Sequence, residues 1–318
     1  MLKIGFLGCG EMASVMAKVV ESVEGVEVAG VAARERAKAK KFAVEFCPEA
    51  KVYSNYEKLV AAEDIDLIYI STPAALHCEH AILALSHHKN VLVEKPFTLS
   101  KNDAERIFFE AKNRGLFACE AMWTSFMPLH KQVLEWIGEG KIGDVKYISA
   151  NLGYDRRDVE RFNSPELGGG AFADLGVYIL NLATAILGNT LSPVSVKSRK
   201  TTAGVDKDTA FLLENDSGAQ VIAYVTMCAN TDKHATIVGQ NGYISIDDVN
   251  TYRKISLCQN DAGLVDEIAA EGGVTEEYAH EIRACADAVS HGLIQCTDMP
   301  WSTSAALAEL CDKIKVMM

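Results

Sequence analysis

Ile4-Gly5-Phe6-Leu7-Gly8-Cys9-Gly10-Glu11-Met12-Ala13 runs from an apolar strand pattern through a glycine turn into a helix pattern. The stretch fits G-x-G-x-x-A. Gly8 permits the tight turn, Gly10 lets backbone approach a pyrophosphate, and Ala13 keeps the helix close to the sheet. A helix N-terminus here offers free N–H groups and a positive dipole end to an anion. Gly8, Cys9, Gly10, Glu11 and Met12 are therefore placed as cofactor contacts. Alone, two glycines do no more than allow a βα turn; the position inside a strand–turn–helix–strand unit gives the match its weight.

Reading outward, residues 3–7 and 26–32 are strand patterns and 12–23 is an amphipathic helix, with Met12, Val15, Met16, Val19, Val20 and Val23 at helical spacing. A helix over 36–46, strands over 67–70 and 91–93, and helices over 76–85 and 101–113 continue the alternation. Nearly continuous apolar strands alternating with helices predict a doubly wound parallel sheet covered on both faces. After about residue 121 the grammar changes. A helix over 130–139 is followed by alternating strands over 145–153, 194–201, 209–214, 220–227, 236–238, 243–246 and 254–258, and helices over 276–290 and 303–317 close the chain. The expectation is an α/β Rossmann domain over 1–120. An α+β domain over 121–318 follows, built on a large, mostly antiparallel open sheet.

The net charge of −12 disfavours nucleic acid or an anionic membrane as partner, since both select basic surfaces. Nine scattered cysteines without a C-x-x-C pair do not read as a disulfide framework, which points to a reducing compartment. A strand pattern starts at Leu2 where a signal peptide would begin, and the apolar stretch 177–187 is too short for a span and holds Asn181. The expected location is cytoplasmic.

The second strand ends Val31-Ala32-Ala33-Arg34. An NAD site usually presents a carboxylate there to the ribose 2′-hydroxyl. Arg34, with Lys38 one turn on and Ala33 beside the ribose, instead suits a 2′-phosphate, which a guanidinium grips in bidentate fashion. NADP is the expected cofactor; Glu35 keeps NAD open.

Val91-Leu92-Val93-Glu94-Lys95-Pro96 puts a lysine at the carboxyl end of a parallel strand, near where ligands bind in open α/β sheets. Together with the glycine turn, Ser71-Thr72-Pro73 and His77, and an antiparallel second half, this resembles the Gfo/Idh/MocA oxidoreductase family over essentially the whole chain. Residues 120–128 and 168–178 look most like its dimeric dihydrodiol dehydrogenase and D-xylose dehydrogenase branch, to which glucose-fructose oxidoreductase is similar there. Many members carry a histidine where this chain has Tyr178, and often an aspartate where it has Asn181. The branch resemblance implies that tyrosine is the acid/base. It also implies that Thr72, Pro73 and His77 sit beside the nicotinamide, with Ser71, Glu94, Lys95 and Trp123 counted among the cofactor contacts.

A free tyrosine titrates near pH ~10, too high for a good base at neutral pH, and a nearby ammonium lowers that value. The implied catalytic set is Tyr178 as acid/base, Lys95 assisting it, and Asp174 orienting the lysine or the sugar hydroxyls. The implied substrate is a sugar or small cyclic diol. A non-catalytic NADP-binding regulator and an anhydro- or keto-sugar reductase are the alternatives. Trp123 and Phe126 suit an apolar or stacking wall, and Gly168-Gly169-Gly170 a close approach of backbone to ligand. Arg156, Arg157 and Arg161 read as a solvated loop. His77 and His80 share a helix face without a convincing third ligand, so no metal is expected. The open face of the antiparallel sheet is expected to bury in a homodimer.

Overall fold

The computed structural model describes residues 1–318. The chain forms two compact units. Most of the first unit is built from β1 (Leu2–Leu7), α1 (Glu11–Ser22), β2 (Val26–Ala32), α2 (Arg36–Phe46), β3 (Lys51–Val52), α3 (Tyr56–Val60), β4 (Leu67–Ile70), α4 (His77–Ser86), β5 (Asn90–Glu94), α5 (Lys101–Arg114) and β6 (Ala118–Ala121). Its six strands are all parallel, in the order β3-β2-β1-β4-β5-β6. The strand order reverses between β1 and β4, and open α/β sheets bind ligands in the crevice outside such a switch point. Leu7 pairs with both Ala32 and Ile70, so the carboxyl ends of β2, β1 and β4 finish level. Leu67, Ile68, Tyr69, Ile70, Val91, Leu92 and Val93 are wholly buried, which is why these strands read as continuous apolar runs.

The second unit holds α6 (Pro128–Gly138), β7 (Val145–Gly153), α7 (Val177–Leu187), β8 (Ser192–Lys200), β9 (Asp206–Glu214), β10 (Gln220–Thr226), β11 (Ala235–Gly239), β12 (Gly242–Asp247), β13 (Lys254–Gln259) and β14 (Gly263–Ala269). Its eight strands run β14-β13-β12-β11-β7-β10-β9-β8. Every pairing is antiparallel except β7 with β10, which run parallel from Tyr147↔Gln220. One face, with Ile148, Ala150, Leu152, Val221, Ala223, Val225, Ile237 and Ile244, is buried, and α7 packs against β7. The opposite face exposes Tyr147, Ile222, Tyr224 and Tyr243.

The chain then returns. Helix α8 (Val274–Ser290) packs on α1, and Gly272–Ser304 as a whole belongs to the first unit. A single cut after residue 120 therefore does not describe the packing. Helix α9 (Trp301–Val316) closes the chain, and residues 305–318 belong to the second unit. The helical stretch Pro165–Leu187 is long and apolar enough to cross a bilayer by length and composition, more than residues 177–187 suggested, but most of it is buried inside the protein.

Candidate active site

At the cofactor end of the first unit, Gly8 has φ +114, and a Cβ there would lie 3.0 Å from the Ser71 backbone. Gly8 is thus required by conformation and by the close approach of the β1 and β4 ends. Gly10 is different. Its φ of −91 suits any residue, and a Cβ would meet only the Ser71 carbonyl oxygen, at 3.9 Å. Nothing in the protein's own packing asks for glycine there. Gly10 is the N-cap of α1 and supplies no side-chain cap, so the first-turn N–H groups are left to an anion. Ala13 is wholly buried against the sheet. These residues fit a dinucleotide pyrophosphate. Gly10→Ala is expected to weaken NADPH binding by roughly tenfold, about 1.4 kcal/mol, with little change in Tm. Unchanged affinity by fluorescence titration would contradict that cradle.

Arg34 and Lys38 stand exposed beyond β2. The Cys9 thiol points back to the Ala32 carbonyl, and burial pushes its pKa up to about 12, so it stays a neutral thiol. Behind Ser71-Thr72-Pro73, Thr72 Oγ1 lies 2.9 Å from His80 Nδ1, and the His80 ring meets Tyr56 edge-on. His77 is buried, with Nε2 2.8 Å from the Thr72 carbonyl and Nδ1 3.0 Å from that of Pro96. Two carbonyls favour the imidazolium, but burial outweighs them and lowers the pKa. His77 therefore ties the loop after β4 to the loop after β5. Both histidine rings are committed to these bonds, and their partners lie in loops that no local sequence pattern identifies.

The Lys95–Pro96 peptide is cis. The buried Glu94 carboxylate accepts the Tyr69 hydroxyl through Oε1 and the Lys95 N–H, at 3.2 Å, through Oε2. It positions the lysine's backbone from beneath. Glu120, on β6, accepts the Phe97 N–H at 3.0 Å. Burial holds its carboxyl up at about 7, Glu94 adding to the rise while Ser304, Phe97 and Lys95 oppose it. Trp123 is 2% exposed, and its ring lies flat on Tyr278 with centroids 3.8 Å apart. Tyr278 occupies one face of the indole that the sequence reading assigned to a stacking wall, and Phe126 is equally buried.

In the second unit a π-helical turn, Phe172–Gly176, leads into α7. Asp206 starts this run: its Oδ2 accepts the Phe172 N–H and the Thr209 hydroxyl, both at 2.8 Å. Asp174 pairs with Arg161 at 3.6 Å, and the Arg161 guanidinium lies over the Phe162 ring. Tyr178 is on the first turn of α7 and largely buried. Asn181 donates to Ser125 Oγ at 2.8 Å and is wholly buried, so the helix that carries Tyr178 is fixed to the turn Trp123–Phe126 from one side.

Residues 2–120 match the oxidoreductase family with an NAD-binding Rossmann fold, and residues 130–245 match the GFO/IDH/MocA C-terminal domain. The chain belongs to the Gfo/Idh/MocA oxidoreductase family. Among curated relatives, a trans-1,2-dihydrobenzene-1,2-diol dehydrogenase of Xenopus tropicalis is 30% identical over 77% of this chain and 74% of its own. The D-xylose 1-dehydrogenase (NADP(+)) of Hypocrea jecorina is 31% identical over 91% of this chain and 82% of its own. Among solved structures, a 3-ketoreductase from Actinomadura kijaniata in complex with NADP and TDP-benzene superposes with TM-score 0.89. It is 27% identical, covering 99% of this chain and 97% of that one.

Within the family frame, one sequence expectation changes and another gains detail. Gly168-Gly169-Gly170 serves the protein's own packing. A Cβ on Gly169 would lie 2.6 Å from the Phe162 carbonyl oxygen, and one on Gly170, where φ is +117, 2.3 Å from Asp206 Oδ1. Arg161 and Arg157 lie on an exposed loop and make ion pairs there that the sequence did not show: Arg161 with Asp174, and Arg157 two-pronged with Asp155. Sequence reasoning missed Asp206, Glu120 and Tyr278. A helix-starting aspartate 34 residues downstream carries no local signal, although a Glu inside the apolar run Phe117–Ala121 was a visible oddity.

Glu120 gives a pH dependence. Its folded pKa, about 7, lies above the unfolded carboxyl value, 4.5. As pH rises through that window the unfolded chain releases a proton that the folded chain keeps, so stability falls. Glu120→Gln is expected to flatten this decline, by on the order of 3 kcal/mol between about pH 4.5 and about pH 7. Urea midpoints at several pH values measure it, and an unchanged slope would rule Glu120 out as its source.

Proposed function

We propose that this chain transfers hydride between NADP(H) and a secondary alcohol or carbonyl of a sugar or small cyclic diol, with Tyr178 as acid/base and Lys95 assisting. Bound NADP(H) supplies the hydride donor or acceptor; the chain's residues bind it and move the proton. The observation that carries the reading is the turn at Gly10, where the protein's own packing leaves the glycine unexplained, with Arg34 and Lys38 exposed beyond the adjoining strand. In the oxidation direction Tyr178 Oη takes the hydroxyl proton; in reduction it returns one to the carbonyl oxygen. Lys95 favours the phenolate electrostatically. Asp174, already paired with Arg161, holds the approach to that helix rather than the proton.

Support comes also from the relatives' activities on a dihydrodiol and on D-xylose with NADP(+). The ketoreductase has been solved with a lysine replaced by alanine or glutamate and a tyrosine by phenylalanine, the same two side-chain types. Its likeness favours keto-sugar reduction as a second reading, which differs in direction and not in mechanism. The test is a panel of aldoses, inositols, cyclic diols and keto-sugars followed by NADPH absorbance. Turnover on at least one is expected. Tight NADPH binding without turnover on any would favour the non-catalytic regulator.

The same reading includes a homodimer through the open sheet face and a cytoplasmic location. Tyr147, Ile222, Tyr224 and Tyr243 stand exposed on that face, and three aromatics with an isoleucine suit the apolar core of an interface. Ile222→Arg is expected to shift the sedimentation coefficient to that of a monomer. Wild-type chain sedimenting as a monomer at micromolar concentration would end the dimer proposal. The location is supported by nine cysteines, none of them in a disulfide.

A further inference from the structure

The fold gathers three cysteines that the sequence scatters. Cys119 lies on β6, Cys285 on α8 and Cys296 in the segment after α8. Their sulfurs all lie within 4.8 Å of one another, and the Cys285 and Cys296 sulfurs are 4.0 Å apart. All three are 3% exposed or less. A disulfide sets sulfurs about 2.05 Å apart, whereas two sulfurs bound tetrahedrally to one zinc at about 2.3 Å stand about 3.8 Å apart. The Cys285–Cys296 separation is close to that of two ligands on a common ion.

A second observation points to the same place. Glu281, one helical turn before Cys285, is wholly buried, and neither of its carboxyl oxygens has a hydrogen-bond partner. Burying such an orphan is costly. Burial and the charges of Glu94, Cys296 and Glu120 push its pKa up, which favours the neutral carboxyl, whose O–H wants an acceptor. Metal-bound thiolates are such acceptors.

We propose that Cys119, Cys285 and Cys296 bind one thiophilic d10 cation, zinc(II) or copper(I), with Glu281 supporting the thiolates from behind. Each sulfur gives an electron pair to the ion and each thiol that binds releases its proton to solvent; nothing is oxidised or reduced. Thiolate ligands are the ones that select these two ions. The ion would fasten the returning segment Gly272–Ser304 to β6, beside the Ala118 N–H to Ile294 carbonyl bond that already joins them.

The test uses the full chain, reduced and handled without oxygen, and reads metal rather than activity. Cadmium titration is expected to give a thiolate charge-transfer band saturating at one equivalent. Gel filtration after exposure to zinc(II) or copper(I) is expected to leave one retained ion, and the two arms identify which. Native mass spectrometry should show its mass less the protons lost. Cys296→Ser is expected to weaken retention by at least roughly tenfold, while Cys258→Ser, on β13, leaves it unchanged. If wild-type chain gives no band and retains neither ion, the proposal is overturned, whether or not the serine variant folds. A Cys285–Cys296 disulfide formed by mild oxidant, with no metal retained beforehand, would overturn it in favour of a redox pair.

Discussion

Tyr178→Phe is expected to lower kcat by roughly 10²–10⁴-fold, the usual contribution of a positioned acid/base, with the NADPH dissociation constant unchanged. The substitution removes one oxygen from a side chain that is 6% exposed and leaves its ring in place. The Asp206 bond at the start of the run and the Asn181 bond to Ser125 hold the helix independently of the phenol. Loss of turnover with an intact Tm therefore reports chemistry and not folding. Lys95→Met is expected to shift the acid limb of the oxidation-direction pH profile to higher pH, since a phenolate without the proposed lysine ammonium is less favoured. A Tyr178→Phe enzyme that kept full turnover would remove tyrosine from the mechanism.

Arg34→Glu is the second large effect. A guanidinium meeting a phosphate is a charge-assisted, two-pronged contact worth about 1.5–3 kcal/mol. Reversing its sign adds repulsion, so kcat/KM for NADP is expected to fall by roughly 10²-fold or more. That for NAD should hold or rise, because a carboxylate can accept from the 2′-hydroxyl. Arg34 is exposed, so the fold should tolerate the change. Lys38→Glu should move selectivity the same way and less far. If the NADP/NAD ratio does not move, the 2′-phosphate is held elsewhere, and the Tyr56 side of the crevice becomes the place to look.

Much of the first unit was legible because its signals are local. β2, α2 and β4 fall where the apolar runs and helical spacing put them, at Val26–Ala32, Arg36–Phe46 and Leu67–Ile70. β7 likewise matches its alternating pattern at Val145–Gly153. β14 was not seen, because Gly263–Ala269 is an exposed edge strand with no buried face to impose alternation. The parallel β7–β10 pairing is a matter of tertiary order, and so is the return of Gly272–Ser304 to the first unit. In the site, the residue types of Gly8, Gly10, Arg34, Lys95 and Tyr178 could be read from spacing and resemblance. Their supports could not. Asp206 at the head of the Tyr178 helix, Asn181 on Ser125 and the Tyr69 hydroxyl that holds Glu94 under the Lys95 backbone are bonds between residues far apart in sequence. The three cysteines looked scattered for the same reason: 166 positions separate Cys119 from Cys285, and only folding brings them together.

Direct hydride transfer is the core of the account, and isotope tracing tests it most directly. With NADPH deuterated at the transferring position of the nicotinamide, and the best carbonyl substrate from the panel, the product alcohol should carry one deuterium on the former carbonyl carbon and none drawn from solvent. A product without that deuterium, formed while NADPH is consumed, would contradict direct transfer. Consumption of no NADPH with any substrate would contradict the enzyme itself.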